Sequence, residues 1–198
     1  MKLSDQKRMS ILRAAERLFC RHGLEQTSMD QVADKANVSK RTVYNHFSTK
    51  EALFHAILVQ MQASLSETPE VVFDPEQPIE AQLLDIAQQE ALLLDSEDFL
   101  RLARVAFMHM LQRPELAQQF NTAKFGCMTY LSRFLGHAVA HGVLAIDDID
   151  LAVKQFVSQI KSLIFYPRLY GLEVPDAQQQ DYVLQQTVAL FLARYQAR

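Results

Sequence analysis

One short stretch of the chain carries side chains that can bind a polyanion and distinguish features of its surface. Between Ser39 and Ser48 stand two cations, three short or planar hydrogen-bonding groups and one phenol, at Lys40, Arg41, Thr42, Asn45, His46 and Tyr44. On a helix, Val43 and Phe47 share one face, so they are predicted to pack inward and leave the others exposed. Arg and Asn can form paired hydrogen bonds with base edges in the major groove, and a Thr methyl can contact thymine. This face indicates duplex DNA as a ligand; a solvated helix with scattered charge is the alternative.

Two predicted helices and a tight turn position this face. Ser28–Gln31 fits a capping box that begins a short helix, and Asn37, which tolerates positive φ, ends it. Ser39 is then the N-cap of a second helix that reaches about Phe47. Two short helices joined in this way have the dimensions of a helix-turn-helix.

Flanking helices complete the predicted DNA-binding region. Apolar residues at helical spacing over Ile11–Phe19 predict a preceding helix, which Gly23 ends. Ser48–Glu51 fits another capping box, at the start of a following helix. The backbone N–H groups at the helix starts at Ser28 and Ser48, together with Lys50, can bind phosphate.

The charges divide unevenly along the chain. Of the 198 residues, 20 are Lys or Arg and 23 are Asp or Glu, a net charge of −3. Residues 1–60 contain ten bases and six acids, a net of +4, and residues 61–198 contain ten bases and seventeen acids, a net of −7. This asymmetry indicates two surfaces with different partners, the first a polyanion. A chance fluctuation over a short window is the alternative.

The rest of the chain is also predicted to be helical. After a proline-containing linker at 67–78, helical patterns lie at 79–95, 97–113, 114–141, 147–167 and 176–196, with Pro114 in a first helical turn. We find no alternating strand pattern, so the predicted fold is all-α. A three-helix helix-turn-helix DNA-binding domain is expected at 6–66, with its motif at about 29–48, followed by a larger helical domain at 67–198.

The same residues resemble a known family. Thr27–Leu53 resembles the signature of the TetR family of bacterial transcriptional regulators, and Ile11–Phe19 with Gly23 resembles its first helix. Phe107–Phe120 resembles the effector domain of the AefR-like branch. The resemblance implies a third helix in the major groove, a body that binds a small molecule, and dimerisation through the last two long helices. Many members have Gly where Arg41 stands, so the operator sequence cannot be taken from another member.

Three sets of site residues follow from these patterns and the resemblance. The expected DNA contacts are Thr27, Ser28, Ser39, Lys40, Arg41, Thr42, Tyr44, Asn45, His46 and Lys50. Two apolar stripes with the spacing of packed helices are expected to form a homodimer interface. They are Ile149, Val153, Phe156, Ile160 and Leu163 in one helix, and Leu184, Val188, Phe191, Leu192 and Tyr195 in the last. As the alternative, both stripes face the protomer's own core. An adaptable apolar cavity with few polar groups is expected among Phe107, Met108, His109, Cys127, Met128, Tyr130, Phe165 and Tyr166. A solid core is the alternative to that cavity.

Several other classes of protein are not expected. No nucleophile motif or glycine-rich phosphate loop is present, so we expect neither an enzyme nor a cofactor. His137 and His141 have a metal-ligand spacing but no assigned third ligand, so no metal is expected. No apolar run approaches the ~18 residues of a membrane span, and no signal core follows the N-terminus. Cys20 and Cys127 form no motif, which fits a cytoplasmic location.

The sequence therefore predicts a cytoplasmic, homodimeric repressor that binds a near-palindromic duplex operator. An unidentified hydrophobic or amphipathic small molecule is expected to release it. Two alternatives stay open. The first is an effector-free protein of the same fold that acts through a protein partner, and the second is a regulator that responds to thiol or metal chemistry through Cys127 or the histidines.

Overall fold

The computed structural model describes residues 3–66, 70–112, 126–173 and 175–197, without the side chains of residues 61–66, 98, 102 and 112. The helices in these ranges are α1 (Leu3–His22), α2 (Met29–Ala36), α3 (Lys40–His46), α4 (Lys50–Ser66), α5 (Ile79–Asp95), α6 (Glu97–Gln112), α7 (Leu131–Ala140), α8 (Ile149–Ile160), α9 (Tyr166–Tyr170) and α10 (Ala177–Tyr195). A 3-10 turn at Gly126–Thr129 precedes α7, and a π turn at Lys161–Phe165 joins α8 to α9. The predicted helix start at Pro114 lies outside the described residues. None of the helices described here is both long and apolar enough to span a bilayer.

The helix-turn-helix forms where the local signals predict it. The Ser28 hydroxyl accepts a hydrogen bond from the Gln31 N–H, and the Gln31 side chain accepts one from the Ser28 N–H at 2.8 Å, so the predicted capping box is confirmed. Asn37 ends α2 with a φ of 53°, in the left-handed region that its short polar side chain tolerates. Ser39 caps α3 by accepting from the Thr42 N–H at 3.1 Å. These caps fix the turn between the two short helices.

The start of α4 differs by one residue from the prediction. Thr49, not Ser48, accepts the capping hydrogen bond, from the Ala52 N–H at 3.0 Å, so the capping box predicted at Ser48 is wrong. Ser is favoured over Thr as an N-cap, so intrinsic cap preference does not account for the observed start. Helix α4 begins at Lys50, which makes Thr49 the N-cap, and the helix buries Leu53 and Phe54 in the core.

The chain forms two compact units, and the first is not a contiguous segment. It joins residues 3–64 to residues 101–112 of α6, whereas the predicted boundary lay at 66/67. The reason is apolar packing, since Val105 and Ala106 belong to the same buried cluster as the core residues of α1–α4. The ring of Phe54 in α4 contacts Phe19 in α1 edge to face, with 5.9 Å between ring centroids.

The second unit contains the remaining described residues, and α5, α8 and α10 pack together in it. The Phe156 and Phe191 rings meet edge to face with their centroids 5.2 Å apart, which joins α8 to α10. Asp148 caps α8, and Asp176 forms a capping box with Gln179 at the start of α10. The second capping box was not predicted from the sequence.

Candidate functional site

Helix α3 has the two faces that its spacing predicts. Val43 is 0% exposed and Phe47 is buried, so this side of the helix packs on the core of the first unit. The opposite side presents Tyr44, which is 51% exposed, and several polar groups. Lys40, Arg41 and Asn45 are exposed, and Thr42 and His46 are half-buried. The result is an exposed face of cations and hydrogen-bonding groups on a helix of seven residues.

Lys40 is held beside the start of α2. Its Nζ lies 2.5 Å from Asp30 Oδ2, and both side chains are exposed. The hydrogen bond to Asp30, and then the charge of that carboxylate, raise the pKa of Lys40 above its ordinary value. Lys40 is therefore a cation at physiological pH, and a phosphate that binds it competes with Asp30.

Lys50 also has a partner in the unbound chain. Its Nζ donates a hydrogen bond to the backbone oxygen of Glu25 at 3.1 Å, which ties the start of α4 to the loop before α2. The Ser28 and Ser39 hydroxyls, both exposed, serve as helix caps. The Ser39 and Thr42 hydroxyl oxygens lie 2.8 Å apart in a hydrogen bond.

Thr27 does not present its side chain to solvent. It is only 2% exposed, and its hydroxyl donates to the Gly23 carbonyl at 2.8 Å, where it stabilises the turn after α1. The expected DNA contact of Thr27 stays a prediction, and the structure assigns its hydroxyl to this turn. Polar residues in capping stretches can satisfy the backbone instead of a ligand, and the sequence does not separate these roles.

The structure adds basic groups that sequence reasoning did not select. The Arg8 guanidinium lies over the Phe47 ring, 5.0 Å from its centroid, which places a cation beside the C-terminus of α3. Arg13, Arg17 and Lys35 line a shallow concavity of about 180 Å³ between α1 and α2. The only sequence signal for these groups was the excess of basic residues before position 60.

The residues predicted to line one cavity fall in both units. Phe107, Met108 and His109 belong to the first unit. There Met108 is 55% exposed, whereas His109 is buried, with its ring centroid 5.0 Å from that of Phe54. The second unit contains Cys127, Met128, Tyr130, Phe165 and Tyr166, of which Cys127, Tyr130 and Phe165 are buried.

A buried acid of the second unit was missed. Glu90 is 2% exposed, and its Oε2 accepts a hydrogen bond from the Cys127 N–H at 2.8 Å. Burial raises the pKa of Glu90, while the N–H and thiol of Cys127 and the charge of Lys161 act in the opposite direction. The signal was present in the sequence, because Glu90 interrupts the apolar face formed by residues such as Ile86 and Leu94.

Cys127 and the pair His137 and His141 lie in surroundings that do not favour thiol or metal chemistry. Burial, followed by the charge of Glu90, raises the pKa of the Cys127 thiol well above its ordinary value, which disfavours the reactive thiolate. His141 Nδ1 lies 2.9 Å from the backbone oxygen of His137. Within the described parts of the chain, no group of three or more His, Cys, Asp or Glu side chains is placed to hold a metal ion.

The predicted dimer stripes lie mostly inside one protomer. Buried members are Val153, Phe156, Ile160, Leu184, Val188, Phe191, Leu192 and Tyr195. Ile149 is half-buried and Leu163 is exposed. Packing within the protomer accounts for the burial of these eight residues. Phe156, Phe191 and Tyr195 also line an open groove between α8 and α10, so the place of the two stripes in a dimer interface stays a prediction. Apolar residues spaced alternately four and three apart identify a helix face that packs against another surface. The spacing does not indicate whether that surface belongs to the same chain or to a second copy.

Comparison with known proteins agrees with this arrangement. Residues 11–57 match the model of bacterial regulatory proteins of the tetR family, and residues 81–197 match that of the C-terminal domain of AefR-like transcriptional repressors. The chain belongs to the TetR family of transcriptional regulators. It is thus a DNA-binding regulator of transcription and not an enzyme.

Individual TetR-family proteins match nearly the whole chain. The crystal structure of a TetR family transcriptional regulator from Pseudomonas syringae pv. tomato is 35% identical, with a TM-score of 0.83, and the alignment covers 98% of this chain and 99% of that one. A protein described as the flavonoid-responsive regulator FrrA is 29% identical, with a TM-score of 0.81 and coverage of 98% and 99%. The transcriptional regulator SrpR of Pseudomonas putida is 26% identical over 179 residues, which are 89% of this chain and 80% of SrpR.

Proposed function

We propose that this TetR-family regulator is a homodimeric repressor that releases a near-palindromic operator when it binds a small amphipathic molecule. The observation that carries the proposal is the exposed face of α3, which presents Arg41, Tyr44 and Asn45. The opposite face of the helix packs on the core through Val43 and Phe47. Such a face can make paired bonds to base edges, while cations and helix starts around it contact phosphates.

We assign the second copy of the chain to the outer side of α8 and α10. Leu151 and Leu190 are exposed on these helices, and a groove of about 460 Å³ runs between them. Phe156, Phe191 and Tyr195 line this groove together with Leu190, and Gln155, Gln159 and Arg194 contribute polar groups to it. Apolar side chains flanked by polar ones are typical of a dimer interface, and TetR-family regulators form dimers.

The interior of the second unit supports an amphipathic effector. It combines aromatic side chains with few polar groups, which is the composition of small-molecule sites. The similar protein FrrA is described as flavonoid-responsive. We therefore expect an aromatic effector that carries polar substituents for this chain as well.

The proposed mechanism is a shift between two states of the dimer. DNA binding favours the state in which both α3 helices fit successive major grooves on one side of the duplex. An effector that binds the other state more tightly lowers operator affinity by the ratio of its two affinities. An effector with equal affinity for both states changes nothing.

Selection of tight binders from random duplexes, followed by fluorescence anisotropy on the selected operator, tests this proposal. We expect one recurrent inverted repeat, and we expect at least one hydroxyflavone to lower the operator affinity about tenfold or more, within the usual range of allosteric coupling. The matched control is random duplex of the same length and charge. Selection without a recurrent sequence, or an operator affinity that no flavone changes, contradicts the ligand-responsive repressor.

A further inference from the structure

The second unit contains a buried carboxyl group with only one oxygen engaged. Glu90 lies on the apolar face of α5, and its Oε2 accepts the hydrogen bond from the Cys127 N–H at 2.8 Å. Its Oε1 is buried and has no hydrogen-bond partner among the described residues. A buried carboxyl oxygen without a partner is unfavourable, and a bound group that donates a hydrogen bond to it would remove this cost.

The chain around Glu90 is shaped to hold the carboxyl group in one orientation. Gly126 has a φ of 60°, in the left-handed region that favours glycine. A Cβ at this position would overlap Glu90 Oε2 and would stand 3.0 Å from Leu93 Cδ2. The 3-10 turn thus approaches α5 closely, fixes Oε2 and leaves Oε1 as the acceptor still available.

The same unit contains further unmatched polar atoms, on α5 itself and on α7, and aromatic rings on α6 and the π turn. Gln89 Oε1 and Ser132 Oγ are also buried without a hydrogen-bond partner among the residues described. The π turn packs on α5, and it carries Phe165, whose ring centroid lies 5.5 Å from that of Phe99. Interruptions of this kind in a helix are frequent at functional sites. The unit therefore combines flat apolar surface with unmatched acceptors.

The charges near Glu90 favour a neutral ligand over a cation. Lys161 begins the π turn, and its positive charge acts on both Glu90 and Cys127. That charge offsets part of the attraction that an ionised Glu90 carboxylate exerts on an ammonium group, whereas a neutral hydroxyl needs only the acceptor oxygen. A hydroxyl also loses less hydration than an ammonium ion when it enters an apolar interior.

We propose that Glu90 Oε1 accepts a hydrogen bond from the effector, and that the effector is a neutral aromatic molecule with a phenolic hydroxyl. This inference rests on the proposed ligand-responsive function and names the chemical group that the site selects. Glu90 contacts the ligand directly, while Gly126 and the Cys127 N–H position its carboxyl group.

Isothermal titration of the full-length chain with matched flavones tests the inference. The probes are 5-, 6- and 7-hydroxyflavone, each paired with its methoxy counterpart, which lacks the donor and keeps the aromatic body. The variants are Glu90→Gln and, as a control, Glu80→Gln at an exposed site of the same helix. In Glu90→Gln, the amide oxygen can still accept from the Cys127 N–H, and a donor then replaces the Oε1 acceptor.

We expect the wild-type chain to bind at least one hydroxyflavone about tenfold more tightly than its methoxy counterpart, because only the hydroxyl satisfies Oε1. Glu90→Gln is expected to remove this preference, mainly by lowering the affinity for the hydroxyflavone. Glu80→Gln is expected to keep the preference. Equal binding of both members of every pair by the wild-type chain, no binding of any probe, or an unchanged preference in Glu90→Gln overturns the inference. If circular dichroism shows that Glu90→Gln does not fold, equal binding of the hydroxy and methoxy members by the wild-type chain still overturns the inference.

Operator release measured on the same samples separates this inference from the proposed function. Release by hydroxy and methoxy flavones alike, from wild type and Glu90→Gln, overturns the role of Glu90 and supports the ligand-responsive function. Binding that depends on Glu90 without release supports the role of Glu90 in binding and overturns the ligand-responsive function.

Discussion

At the residue scale, the cations around α3 are expected to play different parts. Arg41 stands on the exposed face of the helix, whereas Lys50 lies at the start of α4 beside Glu25. We expect Arg41→Ala to weaken operator binding by about 1–3 kcal/mol and random duplex much less, because the substitution removes paired hydrogen bonds to a base. Anisotropy titrations of both duplexes measure the difference. Equal effects on the two would show that Arg41 binds phosphate only.

Lys50→Ala is the matched test of a phosphate contact. It is expected to weaken operator and random duplex alike, and to reduce the slope of log affinity against log salt by about 0.9 for each phosphate that the variant no longer neutralises. The measurement is the same titration repeated at several salt concentrations. A weakening confined to the operator would contradict this role.

The buried carboxyl group predicts how stability depends on pH. Because burial raises the pKa of Glu90 in the folded state, the folded chain holds this proton more tightly than the unfolded chain. An unperturbed Glu titrates at about pH 4. As pH rises from there through the pKa of Glu90 in the folded chain, the free energy of unfolding of the wild type is therefore expected to fall relative to that of Glu90→Gln. Cys127 and Tyr130, whose pKa values burial also raises, stay protonated over this range.

Thermal melts of the two proteins between about pH 4 and pH 8 give the comparison, since an ordinary Glu titrates at the lower end. Exposed Glu80→Gln provides the control, and its difference from wild type should change little with pH. A constant difference between Glu90→Gln and wild type across the range would show that Glu90 does not titrate as a buried acid.

At the scale of the helices, the sequence predicted what local chemistry determines and missed what packing determines. The caps at Ser28 and Ser39 and the turn at Asn37 depend on neighbouring residues, and the structure has them where predicted. The start of α4 and the side to which α8 and α10 turn their apolar stripes depend on distant contacts. No short-range pattern holds that information, so the cap of α4 required correction and the dimer stripes stay a prediction.

The corrected cap of α4 gives a direct stability test. Thr49→Ala is expected to lower the free energy of unfolding by about 1 kcal/mol, because the Ala52 N–H loses its acceptor. Ser48→Ala is the neighbouring control and should change it by a few tenths of a kcal/mol at most, as surface substitutions usually do. Urea denaturation of both variants measures the difference. A larger decrease for Ser48→Ala would restore the sequence-based capping box.

At the scale of the whole molecule, assembly and folding can be separated with two adjacent residues of α10. Leu190 is exposed and Phe191 is buried against Phe156. Leu190→Glu is expected to give a folded monomer with weakened operator binding, because the charge would be buried only in the dimer. Phe191→Glu is expected to unfold the second unit instead.

Light scattering and circular dichroism on the same samples distinguish these outcomes. The wild-type chain should scatter as a dimer at micromolar concentration. A folded dimer of Leu190→Glu would contradict the assignment of the outer side of α8 and α10 to the second copy.

In the proposed complex, two exposed α3 helices of one dimer bind one operator, and the stoichiometry of binding to a selected duplex measures this. The measurement compares the selected inverted repeat with a duplex of equal length in which one half-site is scrambled. We predict two protomers per intact repeat and an affinity about a hundredfold or more above that for the scrambled duplex, because the second α3 then binds within a complex already formed. One protomer per duplex, or equal affinity for the two duplexes, would contradict the account.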